Sequence, residues 1–64
     1  MRSQEDAQRL LAVEESEAWR EYLATIRGRA GVEYLELESW AWARLSHRLR
    51  SIRARRGWLR RVAA

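Results

Sequence analysis

Few side chains in this sequence could perform nucleophilic or acid–base chemistry. His47 is the only histidine, and Ser46 beside it would point about 100° away on a helix. Ser51, four residues later, could share a face with the imidazole, but a nucleophile also needs a group that orients its base. The carboxylates of Glu14 and Glu21 would lie on an exposed helix surface, where burial does not tune their pKa. The sequence therefore predicts no catalytic site and no enzyme.

Metal and cofactor sites are not indicated either. The chain has 64 residues, no cysteine and a single histidine, which excludes disulfides and thiolate zinc sites. No glycine-rich phosphate loop or dinucleotide-binding motif occurs. We therefore expect no metal, no cofactor and no small-molecule substrate.

The clearest chemical feature is an uneven distribution of charge. Residues 1–40 contain nine acids and five arginines, a net charge of −4, whereas residues 41–64 contain eight arginines and no acid, a net charge of +8. Such asymmetry suggests an interaction with phosphate or with an acidic surface. The candidate nucleic-acid contacts are the arginines of the basic segment: Arg44, Arg48, Arg50, Arg53, Arg55 and Arg56.

A competing interpretation is that the basic half neutralises the acidic half within one fold. The acids that would run beside the basic helix are Glu14, Glu15, Glu17 and Glu21, next to Arg48, Arg53 and Arg56. The arginines also surround the helix, whereas a helix that reads a DNA groove would concentrate them on one side. The sequence leaves both interpretations open, and it assigns Arg44, Arg48 and Arg55 to the flank away from the acids.

Two helices are needed to position these residues, and the first is predicted over 4–27. Ser3 followed by Asp6 approximates a capping box, and an acid in the first turn suits the positive end of the helix dipole. Gly28 is the expected stop just after the last helical residue.

The second helix is predicted over 39–56. Ser39 is a plausible N-cap, and Gly57 marks the expected end of the helix. The segment 28–38 alternates partly like a strand but has no partner strand, so we interpret it as an ordered connector. The residues 57–64 form a basic tail in this interpretation.

Apolar residues recur at helical spacing in both predicted helices. In the first helix they are Leu11, Ala12, Ala18, Trp19, Tyr22, Leu23 and Ile26. In the second they are Trp42, Leu45, Leu49 and Ile52. Facing each other, these stripes predict an all-α fold, a single-domain antiparallel helical hairpin, with Trp19, Trp42 and Leu49 at the centre of its core.

A further set lies away from this seam and, together with Trp42 of the seam, predicts a protein interface. The predicted interface residues are Leu10, Val13, Trp40, Trp42 and His47. Tryptophan is enriched at interface hot spots. Alternatively, Trp40 folds onto the connector beside Tyr34 or Leu37.

The length of the chain indicates that it associates with another chain. A domain of this size buries little surface and needs additional stabilisation, so we expect a homodimer or docking on a larger partner, completing a helical bundle. The longest apolar run is 10–13, far short of the ~20 residues of a membrane span, and we expect a cytoplasmic protein without membrane binding. The sequence predicts a non-catalytic protein-interaction or assembly module, with an arginine-rich DNA- or RNA-binding protein as the alternative.

Overall fold

The computed structural model describes residues 2–63, with side-chain surroundings for residues 3–62. Two helices make up its regular secondary structure: α1 spans Arg2–Ile26 and α2 spans Gly31–Ala63. They run antiparallel, because the start of α1 lies beside the end of α2, where the Gln4 side chain donates a hydrogen bond to the Leu59 carbonyl at 2.9 Å. This confirms the predicted all-α hairpin.

The turn between the helices depends on two glycines. Gly28 has φ 74° and Gly31 has φ 64°, values that glycine adopts far more readily than residues with a Cβ atom. Between them, the backbone N–H of Arg29 donates to the Ile26 carbonyl at 3.2 Å. The Arg29 guanidinium also lies 2.7 Å from the carboxylate of Glu33, an acid in the first turn of α2, where it favours the positive helix end.

Helix α2 begins eight residues earlier than the sequence predicted, so the expected connector 28–38 is mostly helical. The physical reason is a helical period that the alternating glutamates obscured. Tyr34, Leu37 and Ala41 recur at spacings of three and four residues, and all three are partly or fully buried on the side facing α1. The burial of this stripe decides the conformation in favour of helix.

Helix α2 also continues through the predicted basic tail, 57–64, as far as the structure describes it; Ala64 lies outside the described residues. Gly57 therefore does not stop the helix, although glycine in a helix interior costs roughly 1 kcal/mol relative to alanine. Leu59 offsets that cost: its side chain is partly buried, and its carbonyl accepts the bond from α1.

The core consists of small and medium side chains along the seam: Leu11, Ala18, Ala41, Leu45, Leu49 and Ile52. Leu49 was correctly predicted, but the prediction that Trp19 and Trp42 form the core centre is wrong, because their side chains are 39% and 48% exposed. Two helices cover only one narrow stripe on each other. Alanines occupy part of that stripe, and the large indoles are left at its edge.

The hairpin is a thin plate. Its Cα atoms extend over 48 × 16 × 8 Å and have a radius of gyration of 15.1 Å, whereas a compact domain of this length has about 11 Å. The plate has two broad faces, one on each side of the seam, and these faces carry the exposed side chains that follow.

Candidate interaction surface

The only histidine lies beside a shallow groove and not in a catalytic arrangement. His47 and Ser51, both exposed, line this groove together with Glu14 and Arg55. Arg55 engages both oxygens of the Glu14 carboxylate, at 3.2 and 2.6 Å, so this carboxylate is already occupied and does not orient the imidazole. Among the described side chains, His47 and Ser51 form no hydrogen bond to each other, and no acidic or histidine cluster could hold a metal ion.

The ion pairs formed by Glu14 and Glu21 across the seam occupy one broad face of the plate, whereas the Glu15–Arg56 pair lies on the other side, about 100° around each helix. The carboxylate of Glu21 accepts from Arg44 at 2.8 Å and also from Arg48, while Glu14 binds Arg55 through the two parallel bonds described above. The prediction that Arg44, Arg48 and Arg55 lie away from the acids is therefore wrong, whereas the competing prediction that Arg48 lies beside the acids of α1 is confirmed. The three arginines recur at spacings of four and seven residues, so they form one stripe of α2, and this stripe borders the glutamates of α1. We call Glu14, Glu21 and these three arginines the ionic face.

Of the remaining predicted ion pairs, some form and others do not. Arg56 donates to Glu15 at 2.9 Å, as expected. Arg53 and Glu17, which were expected to take part, form no ion pair within the described part of the chain, and neither does Arg50. Thus four of the six arginines proposed as nucleic-acid contacts are engaged with α1 carboxylates.

Three aromatic rings meet on the opposite side of the seam. The ring centroids of Trp19 and Trp42 lie 6.4 Å apart, and Tyr22 lies 6.1 Å from the first and 5.8 Å from the second, all in edge-to-face geometry. This arrangement suits the positive edges and negative faces of aromatic rings. Because both indoles stay well exposed, the cluster combines a fixed geometry with an open apolar surface.

A hydrogen bond across the seam fixes the middle ring. The Tyr22 hydroxyl donates to the carboxylate of Glu38 at 2.7 Å. That bond, together with partial burial and the negative charge of Glu38, raises the pKa of Tyr22 to about 12. The phenol is therefore held neutral as a donor across the normal pH range.

The aromatic cluster and the ion pairs must lie on opposite faces. Trp19 precedes Glu21 by two residues, and Trp42 precedes Arg44 by two, so the members of each pair point about 200° apart on their helices. Leu23 and Leu35 share the side of the tryptophans, at spacings of four and seven residues, and they are 50% and 66% exposed. We call Trp19, Tyr22, Leu23, Leu35 and Trp42 the aromatic face.

Trp40 does not belong to the aromatic face. It is 55% exposed, and the guanidinium carbon of Arg44 lies 5.6 Å from its ring centroid, within cation–π distance. Its surroundings are thus on the ionic side. The connector on which Trp40 was alternatively expected to fold, beside Tyr34 or Leu37, is instead part of α2.

The other predicted interface residues are scattered over the plate. Leu10 lines an apolar groove of about 270 Å³ near the open end with Trp58, while Val13 is exposed on α1. His47 borders the separate groove described above, and of the five predicted residues only Trp42 belongs to the aromatic face. Sequence reasoning missed Trp19, Leu23 and Leu35 as surface residues. The signal was available in their spacing, but it was interpreted as core or connector.

The comparisons with protein-family models, with curated proteins and with solved structures found no match to this chain. Neither described helix is long and apolar enough to cross a membrane. The function therefore has to be inferred from the two faces of the plate.

Proposed function

We propose that this chain is a non-catalytic helical interaction module in the cytoplasm, which binds protein through its aromatic face. The observation that supports this most is the exposure of two tryptophans in a fixed edge-to-face cluster with two leucines beside them. Monomeric proteins rarely expose a contiguous apolar patch of this kind without using it. Tryptophan and tyrosine are also the side chains most often found at binding hot spots.

The ionic face differs from the aromatic face in a way that supports the same proposal. Its carboxylates and arginines are already paired with each other, so they gain little from a charged ligand. The aromatic face has no such internal partner for its indoles and leucines. The aromatic face therefore offers apolar binding energy, whereas the paired charges of the ionic face offer little.

Site-specific photocrosslinking in cells that produce the protein tests this proposal. A photoreactive amino acid at Leu23 should form adducts with protein, because this position borders the indole of the aromatic face. The matched control is Glu17, on the same helix and exposed but about 120° away. Equal labelling at both positions, or no protein adduct at Leu23, would contradict the proposal.

One observation favours nucleic-acid binding as a second candidate. Arg50, Arg53, Arg60 and Arg61 form no ion pairs within the described residues, and they fall within about 100° on the outer side of α2. Arginines arranged in this way suit phosphate contacts. Fluorescence anisotropy with a generic duplex and a generic single strand, at ~50 and ~200 mM salt, measures this directly.

The expected result distinguishes these arginines from the ionic face. If the second candidate is correct, neutralising the four unpaired arginines abolishes binding, while neutralising Arg44, Arg48 and Arg55 affects mainly stability. No detectable binding at the lower salt concentration removes this candidate, because an arginine strip that binds phosphate shows non-specific affinity there.

A further inference from the structure

The hairpin exposes more surface than a compact protein of its mass. Its accessible surface is 5129 Å², whereas a compact monomer of 7.6 kDa exposes about 4,300 Å². The excess of about 800 Å² equals the area that each partner contributes to an interface of standard size, also about 800 Å². One more contact of ordinary size would bring the chain to the exposure of a compact domain.

The shape of the plate determines where that contact fits. A broad face of 48 by 16 Å offers roughly 800 Å² to a flat partner, enough for a standard interface. The aromatic face gathers its exposed tryptophans and leucines in one cluster. The other side also exposes Trp40 and Trp58, but these lie 18 residues apart along α2, about 27 Å, and the ion pairs of Glu14 and Glu21 lie between them. A partner of equal size and shape that buries the aromatic face would account for the excess.

The charged residues on the side of the plate that bears the aromatic face indicate which charges the partner carries. On α2, Arg53 and Arg60 lie within about 20° of Trp42. Within about 40° of Trp42, α2 also carries Arg56 and one acid, Glu38. On α1, Glu5 and Glu15 lie within about 40° of its tryptophan, and Glu15 already pairs with Arg56 of its own chain at 2.9 Å. The side that bears the aromatic face is therefore acidic along one helix and basic along the other, so a second copy turned over onto it meets charges of opposite sign.

The charges of whole helices distinguish the two ways of stacking. Residues 2–26 contain six acids and three arginines, a net charge of −3, and residues 31–63 contain three acids and eight arginines, a net charge of +5. With the turns at opposite ends, α1 of one copy lies on α1 of the other, and α2 lies on α2, so like charges face each other. With both turns at the same end, α1 of one copy lies on α2 of the other and opposite charges meet. The helix dipoles do not distinguish the two arrangements, because neighbouring helices run antiparallel in both.

We propose that the partner of the aromatic face is a second copy of this chain. The two hairpins stack face to face, with both turns at the same end, as a four-helix bundle in which α1 of each copy packs on α2 of the other. Glu5 then lies near Arg60 of the second copy, and Glu15 lies near Arg53 of the second copy. This inference rests on the proposed function and names the partner that the interaction module binds.

Sedimentation equilibrium over low micromolar concentrations tests the association. The wild-type chain should sediment at twice its 7.6 kDa mass. Leu23→Glu and Leu35→Glu each place a carboxylate in the interface without touching the seam, since both leucines are at least half exposed in the hairpin. Each should raise the dimer dissociation constant by about 100-fold or more while circular dichroism stays helical.

The matched control is Leu10→Glu, the same substitution on α1 at a residue that is 65% exposed. Leu10 lies about 140° around the helix from Leu23, so this variant should remain dimeric. A control variant that dissociates as readily as Leu23→Glu would overturn the assignment of the face.

Spin labelling tests the orientation, and the absence of cysteine from the sequence makes a single introduced thiol unique. In Ala30→Cys the label lies in the turn. Two turns at the same end place the labels under about 30 Å apart, a few interhelical spacings. A distance that approaches the 48 Å length of the hairpin would overturn the proposed stacking.

The two experiments distinguish a failure of the dimer inference from a failure of the proposed function. A wild-type chain that stays monomeric throughout overturns the dimer. If Leu23 in that case still crosslinks to a different protein, the interaction module stands without self-association. A monomer that gives no protein adduct at that position would overturn both.

Discussion

Truncation of the most buried leucine measures how much the fold depends on its single seam. Leu45 is 2% exposed and packs with Ala18, Leu49 and Tyr22. Leu45→Ala removes three carbon atoms, roughly 2.4 kcal/mol at about 0.8 kcal/mol for each buried methylene. A residual cavity brings typical leucine-to-alanine costs to about 2.7–5 kcal/mol. A chain of this length has a total stability of about 3–10 kcal/mol, so this one change should remove about a quarter of it or more.

Thermal unfolding followed by circular dichroism is the assay, run at several protein concentrations because association raises the apparent midpoint. At about 4–8 °C per kcal/mol, Leu45→Ala should melt at least about 10 °C below the wild type. Val32→Ala is the control, because Val32 is 71% exposed and surface substitutions usually change stability by less than about 0.5 kcal/mol. If Leu45→Ala melts within a few degrees of the wild type, the seam described here does not hold the hairpin together.

Three further predictions follow from individual contacts. Gly57→Ala should raise stability by about 0.5–1 kcal/mol in chemical denaturation, because the glycine lies in a helix and an added Cβ meets only ordinary contact distance; destabilisation would contradict this. In a Tyr34→Phe background, ultraviolet titration of Tyr22 should give a pKa of about 12, and Glu38→Gln should lower this pKa. Because the pKa is raised in the folded state, the stability that the Tyr22–Glu38 bond contributes is present below pH 10 and is lost as pH rises through 12. Glu21→Gln removes the acceptor of two half-exposed arginines and should cost about 1 kcal/mol at low salt and less at high salt; an unchanged denaturation midpoint at low salt would show that these pairs contribute nothing.

The architecture was accessible from the sequence because apolar periodicity is a strong signal. Leu45, Leu49 and Ile52 recur at helical spacing, and all three are buried. The partner helix was found in the same way through Leu11 and Ala18. A chain without proline, with one pair of glycines at its middle, leaves few arrangements other than a hairpin.

The bounds 4–27 predicted for the first helix lie within two residues of those observed, but the end of α2 was not accessible, because a glycine can either end a helix or lie inside one. Gly28 and Gly31 both adopt positive φ and end the helical path, whereas Gly57 is helical and exposes the backbone without ending it. Composition does not separate these cases. Tertiary contacts do, since Leu59 and the side chain of Gln4 hold the far end of α2 against α1.

The candidate site was missed for a different reason, the width of the seam. A helical wheel places Trp19 and Trp42 on the apolar side, and a large aromatic on that side is ordinarily assigned to the core. Two helices bury a narrower stripe than a wheel suggests, and alanines at 18 and 41 take its centre. Because the seam is narrow, the indoles of Trp19 and Trp42 lie on the surface, where they are candidate binding residues.

The proposed dimer and the nucleic-acid candidate compete for two arginines of α2. In the proposed dimer, Arg53 and Arg60 face carboxylates of the second copy, which leaves only two of the four unpaired arginines for phosphate. Duplex binding should then weaken as the chain associates. A neutral monomeric variant, Leu23→Gln with Leu35→Gln, separates the cases without adding charge. If neither this variant nor the wild type binds a generic duplex at low salt, the arginines that dissociation exposes do not bind phosphate. The helical charge pattern then serves assembly alone.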